Sequence, residues 1–257
     1  MDVTLDAGCR VAGLRQGEPE SHGPLRIWNR FGHRTGARAL SLRILEVAPG
    51  LSPGLRNAGC DEVLYVLEGT GTVYLDGHAL GIEPDCGIHL QPGVSLALEN
   101  PGPQPLVLAS ARCPDQGATA RFEAAQTRPA GGSPTPPRDA VARLVDRPAE
   151  QASDGRSYQV LIDASGTGAP VTQFVGVIPP GRAPDHFHEY EEVLIVLTGH
   201  GRMWADRDSA PIEAGSCVFL PRKQLHCVEN LGQDRLRLMG IFYPSGSPAA
   251  ARRLPTT

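Results

Sequence analysis

His186 and His188 stand two positions apart, Glu192 follows four positions later, and His226 lies in a later apolar segment. On an extended chain, side chains two apart project from one face, so the two imidazoles can reach a common point. Three imidazoles and a carboxylate form a donor set of intermediate hardness, suited to Fe, Mn, Co, Ni, Cu or Zn and unsuited to Ca. Four protein donors on an octahedral ion would leave two positions for exchange. One divalent transition metal per chain (Fe, Mn, Ni, Co or Zn) is therefore expected on His186, His188, Glu192 and His226. The remaining histidines, His22, His33, His78, His89 and His200, have no partners at such spacing and read as surface or satisfied core residues.

The elements that must position these ligands are visible as a repeat. EVLYVLEGTG from Glu62 recurs as EVLIVLTGHG from Glu192, and CGIHLQPGVSLALEN from Cys86 is echoed by GSCVFLPRKQLHCVEN from Gly215. LEVAPG, ending at Gly50, corresponds to VGVIPPG, ending at Gly181. All three pairs lie about 130 residues apart in the same order, so the 257-residue chain reads as a tandem duplication. Glycine (30) and proline (24) make up about a fifth of the chain, which favours frequent turns over long helices. Each half is a series of short Val/Ile/Leu-rich runs between Gly, Pro and Asp turns, the pattern of an all-β sandwich or barrel. The Pro/Gly/Ser-rich stretch from Gln126 to Asp139 reads as an extended linker. The expected division is a first barrel over 1–128, a linker over 129–139 and a second barrel over 140–257. Residues 116–126 and the tail from Ser247 are expected to hold a helical turn or two.

The residues of the second half resemble the two cupin motifs, G-x(4–5)-HxH-x(3–4)-E-x6-G and G-x5-P-x-G-x2-H-x3-N. Gly181, His186, His188, Glu192 and Gly199 match the first, while Gly215, Pro221, His226 and Asn230 match the second. Lys223 departs from the pattern, standing where glycine is usual. The resemblance implies tandem double-stranded β-helix (jelly-roll) barrels, a bicupin, with the metal motif complete only in the C-terminal barrel.

The first half has lost the motif. Alignment through Glu62 places Arg56 opposite His186 and Ala58 opposite His188, and alignment through Pro92 places Ala97 opposite His226. One surviving carboxylate does not hold a transition metal, so the first barrel is expected to be metal-free and structural. A sharper alternative is that Arg56 and Glu62 pair inside a relic pocket and bind an anionic effector. In the second half, Leu194 and Val196 should share the inward face of Glu192, and Phe174, Arg182, Asp185, Met203, Trp204 and Phe219 are candidates for the pocket mouth. Cys217 and Cys227 flank the second motif but are not counted as ligands.

Members of the resembled family include dioxygenases, decarboxylases, isomerases, hydrolases and non-catalytic binders, so fold alone leaves the chemistry open. Oxalate decarboxylases of this family usually carry a metal in both barrels and storage bicupins in neither, whereas the three-His, one-Glu set is similar to that of quercetinase-type ring-cleaving dioxygenases. The leading expectation is a mononuclear metal-dependent enzyme, a dioxygenase-type oxidoreductase acting on a small oxygenated molecule such as an enol, catechol or flavonol. Glu192 would act as both ligand and catalytic base. The alternatives are a metal-dependent hydrolase, isomerase or decarboxylase that uses no O2, and a non-catalytic small-molecule-binding cupin.

A net charge of -4 without a Lys/Arg cluster argues against nucleic acid or an acidic membrane as partner. Scattered cysteines and the lack of a signal-like or spanning apolar run lead to an expectation of a soluble, cytoplasmic protein with free thiols. Exposed sheet edges lead to an expectation of an even oligomer, a homodimer in its simplest form.

Overall fold

The computed structural model describes residues 2–115, 117, 120–129 and 140–250, and it is almost entirely β. Each half builds a barrel from a large sheet facing a smaller one. In the first half, Asp61–Glu68 is flanked by Cys86–Leu90 and Leu106–Cys113, and the sheet continues through Ser41–Val47 and Leu25–Phe31 to Glu20–His22. The second half repeats this order, with Glu191–Thr198 between Ser216–Leu220 and Leu236–Tyr243, continuing through Thr172–Ile178 and Ser157–Ile162 to Glu150–Gln151. Every pairing in both is antiparallel.

The two large sheets lie back to back, which explains why the central strands read as unbroken apolar runs rather than alternating ones. Along Glu191–Thr198, Leu194 and Val196 face the interior of the second barrel, while Val193 and Ile195 enter a core shared with Val63 and Tyr65 of the first. The same division places Leu64 and Val66 inside the first barrel. Polar ties cross this interface. Glu191, only 4% exposed, accepts the backbone N–H groups of Arg38 and Ala39, and the Gln173 side-chain amide donates to the carbonyl of Leu64.

The barrels exchange their edge strands. Arg10–Gly13 pairs with Ser216–Leu220 of the second barrel, and Val141–Arg143 pairs with Cys86–Leu90 of the first. Each large sheet thereby gains a cover over an edge that would otherwise expose unpaired backbone groups. Sheet membership therefore crosses the division expected at 129–139, of which residues 130–139 lie outside the described residues. Of the stretch 116–126, residues 116, 118 and 119 lie outside the described residues, and Arg121–Glu123 forms a short strand paired with Gly54–Arg56. In the tail, Pro248 and Ala249 form a turn, and residues 251–257 lie outside the described residues. All six cysteines are buried and free, and among the described residues no helix is long and apolar enough to cross a membrane.

Candidate metal centre

His186 and His188 sit on an extended segment between Gly181–Arg182 and Glu191–Thr198, not within a regular strand. Pro184 lacks an N–H for a ladder, and the segment is held by an antiparallel bridge between His186 and His226, with the Ala183 N–H donating to the Val228 carbonyl. The two residues exchange backbone hydrogen bonds of 3.0 and 2.8 Å, and His226 opens the strand His226–Asn230. Glu192 projects from the central strand into the same space. The motif residue Asn230 is structural, its amide donating to the carbonyls of Ile178 and Asp234, just as Asn100 donates to those of Val47 and Gln104 in the first barrel.

The three imidazoles present ring nitrogens that all lie within 4.8 Å of one another, a group able to hold a metal ion. His186 Nδ1 lies 3.0 Å from the Pro184 carbonyl and His226 Nδ1 lies 2.8 Å from that of Gln224. Those carbonyls accept the Nδ1 proton, which leaves both Nε2 lone pairs for a ligand-binding role. His188 stacks on Tyr190 at 4.6 Å between centroids, and Tyr190 stacks on Phe242, which fixes the ring plane. Glu192 Oε2 lies 3.7 Å from His188 Nε2.

Burial, with the neighbouring His186, pushes His188 down to about 3 and His226 well below the ordinary imidazole range, while burial pushes Glu192 up to about 8. Neutral imidazoles and a carboxyl that is costly to ionise alone form a donor set that a divalent cation would complete. A divalent transition metal therefore fits this site.

Lys223, at the motif's usual glycine, adopts a left-handed conformation with φ 63°, and its N–H donates to the His188 carbonyl at 2.7 Å. Its side chain is largely exposed, so little opposes the backbone strain. Lys223→Gly should stabilise the protein by about 0.5–1 kcal/mol, read as a rise of about 1–4 °C in melting temperature, with metal content unchanged.

The pocket residues fall where sequence reasoning placed only some of them. Phe174 and Leu194 line a cavity of about 110 Å³ together with His186, His188, Glu192 and His226. Phe219 instead packs against Phe31 in the core between the barrels, and Met203 is buried in the core of the second. The Arg182 guanidinium covers the Trp204 ring at 4.3 Å and pairs with Asp185, while Trp204 Nε1 donates to Glu229. Among the described residues none of these lines the cavity. Missed from sequence were Arg156 and Tyr158, which do. Arg156 follows the Asp154–Gly155 pair, whose φ values of 62° and 71° form the hairpin turn typical of Asp-Gly, and that dipeptide was the available signal.

In the first barrel the Arg56–Glu62 pair, raised as an alternative, does not form. Arg56 turns to Glu123 at 2.9 Å and is about one-third exposed. Glu62 instead meets Arg43 Nη2 at 2.6 Å and accepts from Ser110 Oγ, whose oxygen also receives Arg43 Nε–H at 3.1 Å. Burial would raise the Glu62 carboxyl, and Arg43 and Ser110 more than offset it, holding the group below its ordinary value. By the repeat, Arg43 corresponds to Phe174 and Ser110 to Gly240. Phe174 lies directly over Gly240, where a Cβ would come within 2.3 Å of the ring. The second barrel thus keeps its glutamate beside an aromatic wall, and the first supplies its glutamate with a built-in cation.

Comparison with known proteins agrees with this architecture. The Cupin domain family matches residues 43–111 and 174–242, together more than half of the chain. The chain belongs to the cupin family and is a bicupin. An uncharacterized protein of Methanocaldococcus jannaschii is 32% identical over 54 residues, spanning 21% of this chain and 43% of that protein, so the match covers less than half of this curated relative. Among solved structures, a two-residue deletion mutant of Bacillus subtilis oxalate decarboxylase superposes with TM-score 0.72 at 13% identity, covering 91% of this chain and 77% of that one. A four-residue replacement mutant of the same enzyme gives TM-score 0.71 at 13% identity over 92% of this chain and 78% of that one. At this identity the likeness is one of fold.

Proposed function

We propose that His186, His188, Glu192 and His226 hold one divalent transition metal and that the protein is a dioxygenase-type oxidoreductase acting on a small oxygenated organic molecule. The observation that carries this reading is the convergence of three imidazoles and one carboxyl on a largely apolar cavity in the second barrel. A bound ion would supply Lewis acidity and, as Fe, Mn, Co or Ni, one-electron chemistry with O2. Phe174, Leu194, Val228 and Leu238 give the cavity apolar walls, which strengthen electrostatic interactions there. Glu192 is the base: its buried carboxylate is more basic than an exposed one and takes the proton of a substrate hydroxyl at a carboxylate oxygen. The carbonyls of Pro184 and Gln224 keep His186 and His226 in the tautomer that the donor set requires.

A second reading, O2-independent decarboxylation, isomerisation or hydrolysis, is favoured by the likeness to oxalate decarboxylase structures and by the small cavity. Oxygen consumption separates the two. Protein loaded with Fe, Mn, Co or Ni should consume O2 with a small enol or catechol, and Glu192→Gln should lower turnover by roughly 10²-fold or more while metal content falls far less. Turnover that continues unchanged without oxygen would replace the oxygenase reading with the second one.

A further inference from the structure

The walls of the cavity beside the four metal-ligand candidates differ in how firmly they are held. Phe174, Leu194, Val228 and Leu238 stand on strands locked in antiparallel ladders. The segment carrying His186 and His188 is bonded to its neighbours through the N–H groups of Ala183 and Lys223, and the turn at Ser153 is closed by the Ala152 N–H on the Arg156 carbonyl. The remaining wall is Pro248 and Ala249, on a stretch that belongs to no strand. That stretch leaves the barrel from a fixed point. The buried Thr172 hydroxyl donates to the Gly246 carbonyl and accepts the Gly246 N–H, both at 3.0 Å, and the Ser245 N–H donates to the Pro170 carbonyl at 2.7 Å. Beyond Gly246 the bonds turn inward: the Ala249 N–H donates to Ser247 Oγ and the Ala250 N–H to the Ser247 carbonyl. This turn meets the barrel through a hydrogen bond between the Ser247 and Tyr158 hydroxyls and through the Ala250 backbone beside His188.

Resting on the reading that this cavity is the metal and substrate site, we propose that Ser247–Ala250 is a lid over it, hinged at Gly246, and that its opening admits the ion and the substrate. Access requires a wall to move, because His188, Glu192 and His226 are each less than a tenth exposed. Displacing a strand breaks a ladder of several hydrogen bonds. Displacing the turn breaks the Ser247–Tyr158 bond and small apolar contacts while its internal bonds stay intact, so it moves as a unit and at the least cost. The closed lid also bears on the ligands. His186 and His226 each have an outer carbonyl at Nδ1, whereas His188 Nδ1 is enclosed without a hydrogen bond of ordinary geometry. The Ala250 backbone acts on the His188 ring in the sense of an acceptor, so the lid is placed to supply, on closing, the outer carbonyl that this third imidazole lacks.

The probe is diethyl pyrocarbonate, which acylates neutral imidazole, applied to metal-free full-length protein and read at each histidine by peptide mass spectrometry. His188 and His226 are held neutral, so their rates report access rather than charge, and the exposed His33 and His200 serve as references. Ser247→Gly with Pro248→Gly removes the tie to Tyr158 and loosens the backbone. It should speed labelling of His188 and His226 by at least about fivefold and leave both references within about twofold. The melting temperature should stay within about 2 °C of wild type. Unchanged rates at His188 and His226 overturn the lid, and so does an increase shared by the references, the mark of general loosening. Repeating the labelling with Mn(II) separates the lid from the metal reading. If Mn(II) slows labelling of His188 and His226 while the variant labels like wild type, the lid is overturned and the metal reading stands. If the variant labels faster and Mn(II) protects neither protein, the lid is supported and the metal reading fails.

Discussion

Glu62→Ala should lower the stability of the protein by about 3–5 kcal/mol and its melting temperature by on the order of 10 °C, without removing metal. Arg43 and Glu62 are both less than a tenth exposed, and removing the carboxylate leaves the guanidinium buried without its counter-charge and Ser110 without its acceptor. The penalty arises from the partner left behind rather than from the net strength of the pair. The double replacement Arg43→Met with Glu62→Leu, which removes both charges and refills the volume, should therefore recover most of the loss. The pH dependence follows from the same geometry. The folded-state pKa of Glu62 is depressed, so its contribution is complete above the unfolded value near 4.5 and disappears as pH falls through the folded value. Wild type should lose this increment in acid, and the double variant should not. Differential scanning calorimetry of the three proteins across that range checks each point, and a Glu62→Ala melting temperature equal to that of wild type would contradict the pairing.

The affinity for a divalent metal should rise about tenfold per pH unit from pH 7 to about 8 and then level off. Without an ion, burial keeps Glu192 protonated up to about 8, so binding below that value must expel one proton. His188 and His226 are already neutral throughout this range and release none. Stability of the metal-free protein carries the complementary signature. Because the folded-state pKa of Glu192 is raised, its contribution is fully present below about 4.5 and is lost as pH rises towards 8. The lowered His188 and His226 act in the opposite sense, costing stability as pH falls below the unfolded value near 6.5. Competition titrations against a chelator of known affinity measure the slope. Glu192→Gln should weaken binding and flatten the profile, and His226→Ala should weaken it by more than the roughly 100-fold that loss of an outer partner costs. A wild-type profile that is flat from pH 7 to 8 would contradict the role of Glu192 as a ligand.

The duplication and the four convergent side chains were legible in sequence because both depend on spacing. The tandem order of apolar runs fixed the two barrels, and His186, His188, Glu192 and His226 required only the motif to be found together. What depends on the choice of sheet face was not legible. Phe219 was expected at the pocket, but its strand is buried on both sides, so alternation alone does not separate barrel interior from interface. Arg43 carried a usable signal, a charge at an inward position of the apolar strand Ser41–Val47, yet its partner Glu62 lies on another strand and Arg56 was the nearer candidate in sequence. The edge-strand exchange rests on Arg10–Gly13 and Val141–Arg143, segments of four and three residues too short to show a period. Arg156 was hidden for a related reason, since its place in the cavity is set by a hairpin turn that no metal motif includes.

Elemental analysis of the full-length protein, reconstituted with excess Mn or Fe and freed of loosely bound ion, tests most directly the claim that one barrel binds metal and the other carries its own cation. About one equivalent per chain in wild type and in the double variant Arg43→Met with Glu62→Leu, falling to near zero in His226→Ala, is the predicted result. Two equivalents in wild type, or one equivalent retained by His226→Ala, would contradict it.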